Sequence, residues 1–388
     1  MALIGTDILV VGGGIAGLAT ARALAMRGAA VTVLEQAPAI AEVGAGIQMS
    51  PNGYAVLDAL GLTERFEQIA VPSRGVRMID GIGGRDVLWM GLAERGRFAY
   101  VHRADFIEML EQGARDVGVQ IALGQRVERV EPGERPVVIT GEGAREAALV
   151  IGADGLHSVA RRALLGPEEP VFTHQVAWRA TVDLADAEEV PGEAQLFLGA
   201  GRHLVAYPLR GGRLLNLVAC EDADIWVDEG WQVPGDVEEF RIHFAGFPAR
   251  VEDWLHRVDS VRRWGLFRHA VAPRWHREGV AILGDAAHPT LPYLAQGAVM
   301  GLEDGWTLAA ALEGHDSPEA GLASWEAVRR PRSRRIVEAA TANAQNYHLR
   351  PGPKRMAAHL ALRTASRFAP RVLPGRFDWL WGEDVTAG

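Results

Sequence analysis

Uninterrupted apolar runs at three places in this chain each end in a glycine turn. Residues 8–11, 148–151 and 280–283 have the length of strands, and such runs are typical of parallel strands covered on both faces. The second run ends in Gly-Ala-Asp-Gly and the third in Gly-Asp, which places an acid at the carboxyl edge of the sheet. Open α/β sheets bind their ligands at that edge. The pattern therefore predicts an α/β protein with a ligand site there.

The first run leads into a turn of the form Gly-x-Gly-x-x-Gly. Gly12 permits a tight turn, Gly14 lets a pyrophosphate approach the backbone, and Gly17 lets the next helix pack closely on the strand. That helix begins with Ile15 and Ala16. Its N-terminus offers free N–H groups and the positive end of a dipole, both of which favour phosphate.

A second apolar strand, residues 31–34, follows the predicted helix over residues 15–27 and ends on Glu35. A carboxylate about 20 residues beyond such a turn accepts a hydroxyl of an unphosphorylated ribose, so FAD or NAD fits better than NADP. A loop of small residues, 44–52, comes next, and its Gln48 is a candidate cofactor contact. These features predict an adenine dinucleotide site, against the alternative of a βαβ unit that only turns the chain.

From about residue 171 to residue 268 the pattern alternates in strand-like runs and shows few helical periods. Two runs, 204–209 and 214–218, flank Gly211-Gly212 and predict a hairpin. We therefore predict a Rossmann-like domain with an inserted antiparallel β-sheet and a C-terminal helical region. The predicted divisions are a nucleotide-binding domain over 1–72, 98–170 and 272–345, a substrate domain over 73–97 and 171–271, and a helical tail over 346–388.

Composition and charge narrow the classes of partner. The net charge of −9 argues against nucleic acid, and the arginines of residues 329–335 are interpreted as a solvated helix face or part of an interface. The single cysteine, Cys220, excludes an internal disulfide or a cysteine-based metal site and is typical of a cytoplasmic protein. No apolar stretch is long enough to span a membrane, no export signal precedes the first strand, and the histidines lack metal-ligand spacing.

Four motifs in order resemble one family over nearly the whole chain. They are the glycine turn with Glu35, His-Arg-Ala-Asp at 102–105, Gly-Ala-Asp-Gly at 152–155, and Gly-Asp-Ala-Ala-His-Pro at 284–289. Together they are similar to the single-component FAD-dependent aromatic hydroxylases, the group that contains p-hydroxybenzoate and salicylate hydroxylases. Each motif alone is unspecific, whereas their combination in this order is highly specific.

The resemblance implies cofactor roles for several residues. Gly284 and Asp285 hold the ribityl chain of FAD, Arg103 contacts the flavin side chain, and Asp154 with Gly155 is associated with both FAD and the nicotinamide cofactor. Two alternatives remain open, since Arg103 also fits a surface ion pair and Asp154 also fits a cap of the next turn. A second dinucleotide fingerprint and a redox cysteine pair are both missing from the sequence, which favours NADH or NADPH bound transiently.

The segment 291–298 is expected to lie over the flavin ring. Gly297 and Ala298 are candidate flavin contacts, because backbone N–H groups there stabilise negative charge on a reduced ring. The substrate candidates in this segment are Pro292, Tyr293 and Gln296. The sequence of this segment resembles that of the 3-hydroxybenzoate 6-hydroxylases. Pro292 departs from their pattern, which leaves open the substrate and the position at which its ring is hydroxylated.

His203 and Tyr207 are the catalytic candidates. A spacing of four on a strand places both side chains on one face, and a histidine titrates near neutrality. The pattern resembles 3-hydroxybenzoate 6-hydroxylases and 6-hydroxynicotinate 3-monooxygenases, in which the histidine is associated with activating the substrate hydroxyl. The alternative is a solvent-facing His203 with Tyr207 in the core. Three arginines that suit a substrate carboxylate stay unassigned: Arg179, Arg202 and Arg210.

The resemblance implies hydroxylation of a phenolic, carboxylated ring of the 3-hydroxybenzoate or salicylate type, with NAD(P)H and O2, through a flavin C4a-hydroperoxide. The alternatives are a 6-hydroxynicotinate-like heteroaromatic ring, a larger natural-product or quinone-precursor ring, and a dinucleotide-binding protein without turnover. The expected partners are therefore an aromatic small molecule and oxygen, with no nucleic acid, membrane or metal. The chain is expected to be a monomer or a homodimer.

Overall fold

The computed structural model describes residues 3–40, 46–184, 190–224 and 233–387. The helices are α1 (Ile15–Ala25), α2 (Pro51–Ala59), α3 (Thr63–Ile69), α4 (Arg103–Asp116), α5 (Val159–Leu165), α6 (Val237–His243), α7 (Ala249–His256), α8 (Gly297–Gly314), α9 (Pro318–Tyr347), α10 (Pro353–Phe368), α11 (Val372–Gly375) and α12 (Asp378–Trp381). The strands are β1 (Asp7–Val11), β2 (Ala30–Leu34), β3 (Gly46–Met49), β4 (Ala70–Pro72), β5 (Gly75–Asp80), β6 (Asp86–Gly91), β7 (Ala99–His102), β8 (Gln120–Ala122), β9 (Val127–Glu131), β10 (Val137–Thr140), β11 (Gly143–Glu146), β12 (Leu149–Gly152), β13 (Val171–Asp183), β14 (Glu193–Leu198), β15 (Arg202–Leu209), β16 (Leu214–Asp222), β17 (Val233–Gly235), β18 (Val261–Arg268), β19 (His276–Arg277) and β20 (Val280–Ile282).

The three apolar runs become neighbouring parallel strands. The first sheet has the order β19-β20-β12-β1-β2-β8, in which only the short edge strand β19 runs antiparallel. Val11 lies opposite Gly152, and Gly152 lies opposite Ile282, so the three strands end at the same level. Their side chains are buried on both faces, as continuous apolar runs require. This sheet confirms the predicted Rossmann-like α/β fold.

The second sheet has eight strands in the order β17-β18-β13-β16-β15-β14-β5-β6. β15 and β16 form the predicted hairpin, with Leu209 opposite Leu214. The expectation of a purely antiparallel sheet is wrong at one place, because β5 and β14 pair in parallel. These two strands are separated by more than a hundred residues of chain, so no tight turn forces them to run in opposite directions.

The two faces of the second sheet have different partners. One face packs against α6 and α7, where Trp178, Phe240 and Trp254 belong to one buried apolar cluster. On the other face Cys220 lies in an apolar cluster with Tyr293, which belongs to the segment 291–298. The two catalytic candidates, His203 and Tyr207, lie on this second face.

Some boundaries differ from those predicted. The predicted loop 44–52 contains a strand, β3, which pairs with β7 in a small sheet ordered β3-β7-β4, while residues 44 and 45 lie outside the described part of the chain. Helix α1 ends at Ala25, two residues before the predicted end at 27. Short strands of mixed composition have no clear periodicity, which is why β3 was predicted to be a loop.

The C-terminal region is helical, as predicted. Helix α9 runs across residue 345, where the nucleotide-binding domain was predicted to end, and α10 then packs against β6. The division into domains stays a prediction. Within the described ranges, no helix is both long and apolar enough to cross a membrane.

Candidate active site

The glycines of the first turn face different neighbours. Gly12 has a φ of +104°, and a Cβ built on it would lie 2.5 Å from the carbonyl oxygen of Ala153, while a Cβ on Gly17 would overlap the carbonyl oxygen of Gly12. A Cβ on Gly14 would meet no atom of the described residues within 4 Å. The protein itself therefore requires glycine at 12 and 17, whereas the space above Gly14 is open to a ligand.

The N-terminus of α1 is suited to a phosphate. Gly14 is its N-cap, no side chain of the described residues caps its N–H groups, and no acid lies in its first turn. Ile15 is buried, and Ala16 packs against α8, where a Cβ on Gly301 would lie 2.8 Å from the Ala16 side chain. Uncapped N–H groups at the positive end of a helix bind anions.

Glu35 lies at the end of β2 and holds the turn in place. Its carboxylate accepts hydrogen bonds from the backbone N–H of Gly13 at 2.7 Å and of Ala37 at 2.8 Å. A carboxylate can accept about four hydrogen bonds, so these two leave capacity for a ribose hydroxyl. The ribose contact of Glu35 stays a prediction.

Asp154 caps the helix that follows it. Its carboxylate accepts hydrogen bonds from the Ser158 hydroxyl and from the backbone N–H of Val159 and Ala160, at the start of α5. The adjacent Gly155 has a φ of +74°, a conformation that favours glycine. The capping alternative raised from the sequence is therefore what the carboxylate does, and a cofactor contact by Asp154 or Gly155 stays a prediction.

Asp285 and Arg103 come close to each other from different elements. Asp285 is exposed directly after β20, between the buried residues Gly284 and Ala286, and Arg103 is the first residue of α4. Burial and the like charge of Arg179 lower the pKa of Arg103 to about 10, while the charge of Asp285 opposes this shift. The fold thus brings these two predicted cofactor residues together at the edge of the first sheet.

A buried ionic network lies behind this edge. Asp304 accepts hydrogen bonds from His288 at 2.5 Å and from Arg329 at 2.9 Å, and Glu303 pairs with Arg329 at 2.7 Å and with Arg332 at 2.8 Å. Arg329 is only 1% exposed, so the interpretation of this arginine group as a solvated helix face is wrong for Arg329 and Arg332. Their charges are neutralised by acids of α8 that the helical spacing alone did not pair with them.

Gln296 makes its side-chain hydrogen bonds to other residues of the protein. It is the N-cap residue of α8, and its amide accepts a hydrogen bond from Asn52 at 3.1 Å and donates one to Ser50 at 3.0 Å. Gln296 is buried, and both ends of its amide are engaged by residues at the start of α2. The structure therefore places it as a residue that anchors the segment, and its predicted substrate contact is untested.

Gly297 and Ala298 form the first turn of α8. Both are partly exposed, and a Cβ on Gly297 would meet only a Thr290 methyl group, at an ordinary 3.4 Å. Ala295, just before them, has a φ of +54°, which is uncommon for a residue with a side chain. Since the protein leaves room at Gly297, a requirement for glycine there would come from a ligand.

Pro292 and Tyr293 have opposite environments. Pro292 is exposed at the start of a short 3-10 helix, whereas Tyr293 is buried and donates a hydrogen bond to the Gln175 side chain at 2.7 Å. The Tyr293 ring lies 5.3 Å from the His203 ring, centroid to centroid. Tyr293 therefore supports His203, and the predicted substrate contacts of both residues stay predictions.

His203 is buried on β15, so the alternative of a solvent-facing histidine is wrong. Its side chain is in a residue only 3% exposed, and its Nδ1 lies 2.8 Å from Nε2 of His348. His348 in turn lies 2.5 Å from a carboxylate oxygen of Asp222 through its Nδ1. Burial, and then the charge of His348, lower the pKa of His203 well below its ordinary value. The neutral imidazole is therefore the favoured form of His203 in this structure.

Tyr207 lies on the same face of β15 as His203 and is buried in an apolar cluster with Tyr100, so the part of the alternative that placed Tyr207 in the core is confirmed. Its ring packs 4.9 Å from that of Tyr100, and its hydroxyl lies against Gly46 of β3, on the strand that also carries Gln48. Burial raises the pKa of Tyr207, so it stays protonated. Four residues along a strand span about 13 Å, so the two side chains lie well apart on this face of the sheet.

Arg179 is the arginine that faces the site. It lies on β13, its Nε is buried without a hydrogen-bond partner among the described residues, and its guanidinium lies 4.8 Å from the centre of the Trp264 ring. Arg202 binds backbone carbonyl groups near the end of α6, and Arg210 pairs with Asp105 on the surface. Two of the three unassigned arginines are therefore engaged elsewhere, and Arg179 is left facing Tyr207.

Sequence reasoning missed the partners of His203. His348 is 145 residues away along the chain, and Asp222 and Gln175 are polar residues on the inserted sheet. A histidine after a long helix and an acid at the end of a strand do not form a recognisable sequence motif. No signal in one sequence pairs them.

The fold and the site together define a flavoprotein of the type with one dinucleotide-binding unit and a second sheet over it. Among the described residues, the open space at Gly14, the start of α1 without a side-chain cap and the closeness of Arg103 to Asp285 fit a dinucleotide whose phosphates meet the turn.

Comparison with known proteins identifies the family. The family model described as FAD binding domain matches residues 5–200 and 246–340. The 3-hydroxybenzoate 6-hydroxylase of Polaromonas naphthalenivorans is 37% identical over 394 residues, covering 97% of this chain and 96% of that protein. The 3-amino-4-hydroxybenzoate 2-monooxygenase of Streptomyces cremeus is 34% identical, covering 98% and 95%.

A solved structure agrees with these relatives. Klebsiella pneumoniae HpxO complexed with FAD and uric acid superposes with a TM-score of 0.83 at 27% identity, covering 96% of each chain. The chain therefore belongs to the FAD-dependent aromatic hydroxylase family. It is an FAD-dependent aromatic monooxygenase, as its motifs implied.

Proposed function

We propose that this enzyme hydroxylates a phenolic ring that carries a carboxylate, of the 3-hydroxybenzoate or salicylate type. The observation that carries the proposal is Arg179, a guanidinium on the face of the second sheet that also carries His203 and Tyr207, with no carboxylate partner among the described residues. A partly buried cation without an anionic partner is costly, and an anionic substrate group removes that cost.

In the proposed reaction each side chain serves one part of the ring. Arg179 binds the carboxylate, His203 accepts the phenol proton, and Tyr207 donates a hydrogen bond at the opposite end. FAD, when bound, supplies the redox chemistry by taking electrons from NADH or NADPH and activating molecular oxygen for transfer to the ring. Loss of the phenol proton makes the ring a better nucleophile, so the pocket controls which phenol is oxidised.

The proposed cofactor contacts follow the sequence prediction. The N-terminus of α1 with Gly14 binds the pyrophosphate of FAD, and Glu35 binds the adenosine ribose. Asp285 and Arg103 bind the part of FAD between the pyrophosphate and the flavin ring, and Gly297 contacts that ring. The location is proposed to be the cytoplasm, because a single buried cysteine needs no oxidising compartment. A monomer and a homodimer are both compatible with the proposal.

A heteroaromatic ring is the second candidate. The solved relative from Klebsiella pneumoniae is complexed with uric acid, a heteroaromatic ring without a carboxylate. On such a ring an acidic N–H or O–H takes the place of the phenol at His203. A 6-hydroxynicotinate-like ring combines both features and belongs in the same test.

The proposal predicts a preference that depends on Arg179. With FAD and NADH, turnover is measured for 3-hydroxybenzoate, salicylate, 6-hydroxynicotinate and unsubstituted phenol, and products are identified by mass spectrometry. We expect Arg179→Gln to raise KM for the carboxylated substrate about thirtyfold, or about 2 kcal/mol, without weakening FAD binding.

The matched control is Arg334→Gln, an exposed arginine of α9, which is expected to leave KM unchanged. If Arg179→Gln and wild type discriminate equally between phenol and its carboxylated analogues, Arg179 is not the anchor. Uncoupled NADH oxidation without hydroxylated product, for every ring tested, refutes the proposed substrate class.

A further inference from the structure

We infer that His203, His348 and Asp222 form a proton relay that carries the substrate proton from the buried pocket to solvent. This inference rests on the proposed function, since it assumes a phenol at His203. The three side chains form one chain of contacts, 2.8 Å from His203 to His348 and 2.5 Å from His348 to Asp222. Both histidines are buried, whereas the side chain of Asp222 is 44% exposed. The relay therefore joins the pocket to water.

The carboxylate sets the direction of both imidazoles. Asp222 is acceptor only when ionised, so Nδ1 of His348 donates its proton to it. Nε2 of His348 is then the acceptor for the Nδ1–H of His203. Nε2 of His203 is left as the unprotonated nitrogen and has no hydrogen-bond partner among the described residues. His203 is held in the tautomer that a base requires.

The fold keeps this chain of contacts in place. His348 ends α9, and its carbonyl oxygen accepts a hydrogen bond from the backbone N–H of Gly201, directly before β15. Gln175, opposite Asp222 on β13, lies 3.4 Å from both the carboxylate and His348, and it accepts a hydrogen bond from Tyr293. The end of a long helix is thus fixed to the edge of the pocket.

The proton moves in three balanced transfers. The substrate O–H gives its proton to Nε2 of His203, His203 gives the proton on Nδ1 to Nε2 of His348, and His348 gives the proton on Nδ1 to Asp222. The phenol becomes a phenolate, and Asp222 releases the proton to solvent. Each imidazole ends with the proton on its other nitrogen. A proton that Asp222 takes up from solvent and that passes back along the same path to the oxyanion of the product restores both tautomers.

The other titratable or charged groups near the relay do not compete with it. Burial raises the pKa values of Cys220 and Tyr347 to about 12 and also raises that of Tyr293, so all three stay protonated near neutral pH. Burial works to raise the pKa of Asp222, but His348 outweighs it, together with Gln175 and the charge of Arg350, and lowers that pKa. Arg179 faces Cys220 and Tyr207 and keeps its charge.

A coloured phenol tests the relay without turnover. The FAD-loaded enzyme is mixed with 3-hydroxy-4-nitrobenzoate in a stopped-flow instrument, binding is followed by flavin fluorescence, and ionisation is followed by the phenolate colour across pH. In wild type we expect the bound probe to ionise at a lower pH than the free probe. In Asp222→Asn and His348→Gln we expect this apparent pKa to rise by about one unit and the colour to form about tenfold more slowly, with probe affinity retained.

Three comparisons make the result decisive. Tyr347→Phe, next to His348 on α9 and 5.4 Å from the His203 ring, preserves the packing and is expected to ionise the probe as wild type does. Asp222→Glu is expected to restore part of the rate. Because Asp222 is half-exposed, Asp222→Asn keeps the fold even if the substitution at buried His348 weakens it, and retention of FAD checks both variants.

The outcomes separate the relay from the proposed function. If Asp222→Asn and His348→Gln ionise the bound probe at the wild-type pH and rate, the relay is wrong. If wild type ionises the probe through the relay but hydroxylates no carboxylated phenol, the relay stands and the proposed function fails. A wild type that binds no carboxylated phenol overturns both.

Discussion

Gly14 and Gly17 lie three residues apart in one turn, yet the reason for glycine differs between them. At Gly17 a side chain would overlap the carbonyl oxygen of Gly12, so the folded chain itself excludes one. At Gly14 the φ is −77° and a side chain would meet no atom of the described residues, so alanine fits this part of the protein. Only a ligand lying on the turn gives a reason for glycine at 14.

Substituting each glycine by alanine separates folding from cofactor binding. We expect Gly17→Ala to destabilise the apoprotein by about 3 kcal/mol, because the turn must deform. Gly14→Ala is expected to change apoprotein stability by less than about 0.5 kcal/mol but to weaken FAD binding at least about tenfold. Thermal unfolding of the apoprotein and FAD titration measure the two effects. If Gly14→Ala binds FAD as tightly as wild type does, the pyrophosphate does not lie on this turn.

Residues with a fixed spacing in one motif were predictable, and residues paired across the fold were not. The turn, Glu35 and Asp285 follow directly from strand ends, and the fold places them at one edge. Asp154 shows the limit, since one sequence does not distinguish a cap from a ligand contact. His348 reaches His203 only through the packing of α9 on the second sheet, which no local pattern encodes.

At the scale of elements, α8 connects the parts of the site. Its N-terminal residue Gly297 faces the pocket, and its acids Glu303 and Asp304 bind arginines of α9. Asp304 also accepts a hydrogen bond from the backbone N–H of Gly284, at the end of β20. The position of the N-terminus of α8 therefore depends on ion pairs in the protein interior. Helix α9 itself was predictable, but the burial of its arginines depends on which helix lies against it.

Removing the central cation of this network is expected to be costly. Arg329→Met removes the cation that both buried carboxylates, Glu303 and Asp304, share, and we expect the free energy of unfolding to fall by about 3–5 kcal/mol. Arg334→Met, exposed on the same helix, is expected to change it by less than about 0.5 kcal/mol. Chemical denaturation of the holoenzyme measures both. Equal stability of the two variants would contradict the role given to Arg329.

The same network predicts how stability depends on pH. Burial works to raise the pKa of Asp304, but His288 and Arg329 outweigh it and lower that pKa to about 2. A carboxyl group whose pKa is lower in the folded state stabilises the fold above its unfolded pKa of about 4 and loses that contribution as the pH falls towards 2. Acid unfolding between these values is expected to be shallower in Arg329→Met, and an unchanged profile would contradict this pairing.

At the scale of the whole molecule, two sheets form one site between them. The first presents the glycine turn, Arg103 and Asp285 at its carboxyl edge, and the second presents Arg179, His203 and Tyr207 on one face. The α/β domain and the hairpin were predictable because the apolar and turn residues of each follow a recognisable pattern along the sequence. The parallel pairing of β5 with β14 was not, because strands distant in sequence carry no signal of their direction.

Isotope labelling shows whether this enzyme transfers oxygen from O2 to a carboxylated phenol. FAD-loaded enzyme is supplied with NADH, 3-hydroxybenzoate or salicylate, and oxygen gas enriched in the heavy isotope, and the product is analysed by mass spectrometry. We expect a dihydroxylated aromatic product that carries a single heavy oxygen atom. NADH oxidation that gives only hydrogen peroxide, or a product whose new oxygen comes from water, would contradict it.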